Sequence, residues 1–307
     1  MAIGKLVLYY LPRAMLIWVP ILIAALVLKK KNIVLKNGHY VRFVLIMLLG
    51  LVLITDAFLS VSVLGIGREG NSSKYNPEKQ ETVADSPLRG KTILSIGSSV
   101  AKGTGTGFKC SYNEYLEAID GAIIISEAKA GTTLAVADPP TGKSYVERVL
   151  NNVDKNAHVD IVLLQLSTND ATSGQELGEI SSSYDLDDFD VTTTCGAVEY
   201  LIKYCIETWD CPVVMYSGTY FEPGIMYQPG NYAAMVEQMH LMEEKWGEFG
   251  FSFVDQWNDP KMLAVTEEEY ALYMCDGVHP MKAGYLLWWL PNLQQALYAG
   301  ITNSSVS

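Results

Sequence analysis

Residues Val159 to Asp170 read "VDIVLLQLSTND", and the fold turns on how this stretch is taken. From Ile161 to Leu166 the run is apolar except for one amide, Gln165, and reads as a strand buried on both faces. It passes directly into Ser167, Thr168, Asn169 and Asp170. A packet of polar side chains at a strand end is either a turn closed by an Asx bond or the lip of a site. Working outward, four more short apolar runs appear: "KTILSIG" at 91–97, "AIIIS" at 122–126, "CPVVMYSG" at 211–218 and "FSFVDQW" at 251–257. Between them, helical spacing is found at 113–119, 144–152, 192–209 and 232–249, and a last helix runs from Pro280 toward Leu297 with an expected kink or break at Pro291. Apolar strands alternating with helices imply an α/β domain over residues 91–300, a parallel sheet of about five strands covered on both faces. In such sheets ligands bind beyond the carboxyl ends of the strands. The residues that follow each strand are therefore the candidates for function.

The chain ahead of this domain has a different character. Residues 1–66 carry seven Lys/Arg and one acidic residue, whereas the remainder holds 15 basic and 33 acidic residues. Two apolar stretches, about 6–28 and 43–66, are each long enough to cross a hydrocarbon core, which takes about 20 residues. The loop between them contains Lys29, Lys30, Lys31, Lys36 and Arg42. Positive loops stay cytoplasmic. The expectation is a transmembrane hairpin at 1–67 that places the acidic domain outside the cytoplasm at the cell membrane. A cleaved signal peptide followed by a core helix is the competing reading. Residues 68–90 are polar and without period, and read as a linker. The acidic domain argues against nucleic acid, whose phosphates need a basic surface. The five cysteines lack C-x-x-C spacing and read as buried small hydrophobes, with a Cys205–Cys211 bridge left open.

Four strand ends carry possible chemistry. "GSSVAKGTG" at 97–105 puts a serine in a glycine-bounded turn between strand and helix, where its hydroxyl faces the crevice and its own N–H favours an anion. The order of a phosphate-binding P-loop is absent, because Lys102 precedes Gly103. "EAKAGTTL" at 127–134 offers Gly131, whose amide could approach a ligand with no Cβ in the way. Asn169 offers a neutral NH2 donor suited to developing negative charge, and Asp170 reads as a structural cap. In "CDGVHPMKAGY" at 275–285, Asp276 can hold one nitrogen of His279 and leave the other to take a serine proton. His39, His158 and His240 lie in unremarkable settings.

In this order the four stretches resemble the sequence blocks of the SGNH (GDSL-type) hydrolases over most of residues 90–298. The resemblance implies a three-layer, flavodoxin-like sandwich with Ser99 as nucleophile and His279 as base oriented by Asp276. It further implies an oxyanion hole made by the Ser99 and Gly131 amides with Asn169, and neither cofactor nor metal. Two positions depart from the pattern. The usual Gly-Asp-Ser is Gly97-Ser98-Ser99 here, and Ser167 stands where the third block has glycine. The spacing to Gly103 matches only if Ser99 attacks. The expected activity is hydrolysis of short acyl esters, acetyl above all, on carbohydrate outside the cytoplasm. An O-acyltransferase, a lipase or thioesterase acting at the membrane, and a non-catalytic binding protein are the alternatives. Aromatic residues between Tyr220 and Tyr232 are expected near the crevice, and Trp288 and Trp289 in the core.

Overall fold

The computed structural model describes residues 65, 67–107, 110–219 and 229–304, together with helical residues at 47, 48, 50, 51, 54 and 55. The chain divides into two compact units, Met1–Ser62 and Val63–Ser307. The two expected membrane spans fall almost wholly outside the described residues, and among the described residues no helix is long and apolar enough to cross a membrane.

The second unit is built on five strands, β1 Thr92–Gly97, β2 Ile123–Ala128, β3 Ile161–Gln165, β4 Val213–Tyr216 and β5 Phe251–Val254. All pair in parallel, in the order β2-β1-β3-β4-β5. The three central strands are buried along their whole length, as continuous apolar runs require. β2 departs from the expectation. It is an edge strand, half open to solvent, with Ile123 54% exposed.

The helices are α1 (Tyr112–Tyr115, continued by a π-turn at Leu116–Asp120), α2 (Tyr145–Asn152), α3 (Thr168–Ser173), α4 (Thr194–Trp209), α5 (Pro229–Trp246), α6 (Pro260–Leu263), α7 (Glu267–Tyr273), α8 (Lys282–Gly284) and α9 (Leu290–Ser304). α2, α4 and α5 pack as one layer, and α1, α8 and α9 as the other. Serines start two of the helices with reciprocal capping boxes, Ser111 with Glu114 and Ser144 with Glu147. The break expected at Pro291 takes the form of a π-turn at Tyr285–Trp289, immediately ahead of α9. A proline has no N–H to donate and its ring crowds the preceding turn, so a locally widened turn absorbs the misfit without ending the helix. Trp288 and Trp289 are in the core, and all five cysteines are buried with no disulfide between them.

Residues 68–90 are not the loose linker that their composition suggests. They form short 3-10 turns at Glu69–Asn71, Ser73–Tyr75 and Pro77–Lys79 and bond to distant loops of the same unit. Polar composition misleads here because the segment buries few side chains and is held by backbone and amide hydrogen bonds.

The strand order reverses between β1 and β3. At such a switch point the connections leave on opposite sides and open a crevice at the carboxyl ends of the strands. The ends of β1, β2 and β3 are adjacent there, which brings three of the four polar stretches together.

Candidate active site

The turn after β1 carries two serines with opposite surroundings. Ser98 is fully buried, and its backbone N–H donates to Gln165 Oε1 at 2.9 Å while its hydroxyl lies 3.1 Å from Gln165 Nε2. Gln165 Oε1 also accepts the Ala101 N–H at 3.2 Å. Ser99 is 9% exposed, and its Oγ lies 2.8 Å from His279 Nε2. Of the two candidate serines, Ser99 is the one that meets a histidine among the described residues. The amide that ends the apolar strand β3 thus has a function that its setting alone did not reveal. It holds the serine turn from below, where the usual pattern has an aspartate in place of Ser98.

His279 and Asp276 sit on the loop between α7 and α8. An antiparallel bridge between Met274 and Pro280 closes this loop, and the Cys275 N–H donates to the His279 carbonyl at 2.9 Å. Asp276 Oδ2 lies 2.9 Å from His279 Nδ1. Its Oδ1 accepts the N–H groups of Val278 and His279, each at 2.8 Å. Burial pushes the carboxyl pKa up, but the His279 ring and these two N–H donors outweigh it, and the pKa stands below its ordinary value. The side chain is nonetheless 42% exposed. The result is an unbroken chain of contacts, Ser99–His279–Asp276. The serine turn can come this near the base loop because residue 105 is glycine. A Cβ there would stand 3.0 Å from His279 Cβ and 3.1 Å from the Pro280 carbonyl.

The second and third stretches meet each other. Asn169 Nδ2 donates to the Thr132 carbonyl at 2.8 Å, and Ser167 Oγ donates to the same carbonyl at 3.3 Å. One N–H of the Asn169 amide is therefore engaged by the Gly131 loop and the second is left over. Gly131 itself has φ +74 and open space where a Cβ would be, so the backbone conformation and not crowding calls for glycine. Among the described residues, neither the Ser99 nor the Gly131 backbone N–H has a hydrogen-bond acceptor. Asp170, read as a structural cap, bonds the loop after β2, while Ser167 caps the helix Thr168–Ser173. Asp170 is buried and accepts the N–H groups of Leu134 at 2.8 Å and Ala135 at 3.1 Å, with burial pushing its pKa up to about 6.

Arg148, on α2, is a further residue that the motifs did not point to. It is 3% exposed and donates to the Gly97 carbonyl at 2.9 Å and the Glu127 carbonyl at 2.5 Å, which ties the ends of β1 and β2. The aromatic stretch expected near the crevice lies mostly outside the described residues. Its last member, Tyr232, is buried on α5 and bonds the Gly218 N–H and the Leu166 carbonyl. No group of side chains among the described residues could hold a metal ion.

Comparison with known proteins gives no match to a family model and none to a curated protein. Solved structures do match. One is 23% identical with a TM-score of 0.52, covering 71% of this chain and 98% of its own. A protein from Lactobacillus plantarum is 19% identical with a TM-score of 0.50, covering 70% and 98%. An aryl esterase from M. smegmatis is 14% identical with a TM-score of 0.47, covering 69% and 99%. The likeness to the first two of these structures is one of fold, the parallel five-stranded α/β sandwich described above.

Proposed function

We propose that this protein is a serine ester hydrolase that removes short acyl groups, acetyl above all, from carbohydrate. The observation that carries the reading is the contact chain from Ser99 Oγ through His279 to Asp276, at 2.8 and 2.9 Å. Ser99 Oγ attacks the acyl carbon as His279 Nε2 takes its proton, giving a tetrahedral oxyanion. The Ser99 and Gly131 N–H groups, with the remaining Asn169 N–H, are the donors assigned to that oxyanion. Collapse breaks the bond to the alcohol, which leaves with the proton held by His279. Water then attacks the acyl-serine, again giving a proton to His279, and the acid departs as Ser99 recovers its hydrogen. Asp276 keeps the imidazole oriented and favours its charged form during each transfer. The chemistry requires no metal.

The substrate class and the placement outside the cytoplasm rest on the sequence, namely the basic, apolar first 66 residues joined to an acidic domain. Transfer of the same acyl group to a sugar hydroxyl would use the same residues, with the sugar in place of water.

The test is release of p-nitrophenol from its acetate and octanoate esters, with Ser99→Ala as control. The expected result is activity on acetate that disappears in the variant. Equal turnover by Ser99→Ala would overturn the assignment, a preference for octanoate would move it to lipid esters, and product formed only when a sugar acceptor is added would move it to transfer.

A further inference from the structure

The residues that enter the second unit make a set of bonds with one destination. Asn71 uses its whole side-chain amide. Nδ2 donates to the carbonyls of Gly65 at 2.8 Å and Gly105 at 2.7 Å, and Oδ1 accepts the Lys282 N–H at 3.0 Å. Arg68 Nη1 donates to the Cys275 carbonyl at 2.6 Å. Lys282 Nζ donates to Asn76 Oδ1 at 2.7 Å. Gly70 is buried against α7 and its neighbour Met281, so closely that a Cβ would lie 2.0 Å from the Leu272 carbonyl.

These partners are not scattered. Gly105 ends the serine turn, Cys275 precedes Asp276, and Lys282 follows the base loop. They are also the backbones that face one another across the Ser99–His279 gap, since Gly105 abuts His279 and Pro280. We infer that residues 67–76 are a strap that positions the general base, with Asn71 and Arg68 holding the Asp276–His279 loop in register with the serine turn. The inference rests on the hydrolase reading, and deepens it by making the segment that leads in from the N-terminal unit a part of the working geometry. Neither residue touches substrate. Both are positioning residues, acting through the two loops they join. Such a role follows from the steepness of catalysis with distance, because a misplacement of about 1 Å costs up to about 10²-fold.

The test uses the full-length chain and two readouts. The first is p-nitrophenyl acetate turnover. Asn71→Ala is expected to lower kcat on the order of tenfold with KM within about twofold, and Arg68→Ala to do the same to a smaller extent. Arg68→Lys, which can still donate to the Cys275 carbonyl, is expected to recover most of the loss. The second readout is the downfield NMR resonance of the proton shared by His279 Nδ1 and Asp276, which should shift or broaden in Asn71→Ala. Folded Asn71→Ala and Arg68→Ala proteins with unchanged kcat and an unchanged resonance would overturn the strap. Should Asn71→Ala fail to fold, the Arg68 pair decides, since Arg68 is exposed. Should the wild type hydrolyse no ester, the hydrolase reading falls, and the resonance alone decides whether the strap holds the loop.

Discussion

Ser99 and His279 meet at 2.8 Å, but they reach that distance from two differently built regions. The serine turn grows out of a central strand. Ser98 and Gln165 beneath it are buried, and Tyr285 on the opposite layer donates to the Val100 carbonyl at 2.6 Å. The base loop grows out of no strand. It closes on itself through Met274 and Pro280, buries Met274 and Val278 in the core, and takes further bonds from residues far away in sequence, Arg68 and Asn71. Ser99 is thus held by buried groups directly beneath it, whereas the loop of His279 is anchored in the core by Met274 and Val278 and tied further by polar bonds to Arg68 and Asn71. Core packing is cooperative and hard to perturb singly. Isolated hydrogen bonds contribute about 1 kcal/mol each and can be removed one at a time.

That contrast can be broken most sharply at Asp276. Asp276→Asn keeps the shape of the loop but removes the charge that favours the imidazolium. A buried aspartate in this role is worth about 10⁴ in kcat. Asp276 is 42% exposed, so screening by water should reduce the loss to about 10³. A loss below tenfold in steady-state kcat would mean that water or another group orients His279.

Next in size is Asn169→Ala, which removes both the assigned oxyanion donor and the bond to the Thr132 carbonyl. The expected loss is on the order of 3 kcal/mol in the activation barrier, seen in kcat more than in KM. Full kcat from a folded variant would remove Asn169 from the site.

Gln165→Leu tests the core side. It leaves the buried N–H groups of Ser98 and Ala101 without acceptors. The cost should be about 2–6 kcal/mol of stability, read from denaturant midpoints, at about 1–3 kcal/mol for each stranded donor. If the comparison is right, this variant loses stability and activity together, whereas substitutions in residues 67–76 lose activity first.

The smallest effect concerns pH. The lowered pKa of Asp276 means that the fold favours its ionised form. Its contribution to stability is present above the ordinary carboxylate range and is lost as the pH falls through the lowered value. The difference in thermal midpoint between wild type and Asp276→Asn should therefore shrink as the pH is taken from about 7 to about 3. A difference independent of pH would mean that the asparagine acts through shape alone.

The same contrast explains what could be read from the chain. Continuous apolar runs such as Ile161–Leu164 announce buried parallel strands, and strand ends in an open α/β sheet are where polar residues become informative. Ser99, Gly131, Asn169, Asp276 and His279 all stand at such ends or on the loop that faces them. Gln165 carried a signal in plain sight, as the one polar residue in its strand. Arg68 and Asn71 carried none. Their partners are backbone carbonyls and an N–H far along the chain, which have no side-chain identity to pair with, so the segment looked like any polar linker. Edge strand β2 misled in the opposite sense, because an apolar run does not disclose whether a sixth strand covers it.

The most direct test of the central claim is covalent trapping. The protein would be treated with a fluorophosphonate and its peptides examined by mass spectrometry, in the wild type and in His279→Ala. The account predicts one adduct, on Ser99, with labelling at least about 10³-fold slower in the variant, because the hydroxyl is weak without its base. An adduct on Ser98, or labelling of Ser99 at the same rate without His279, would contradict it.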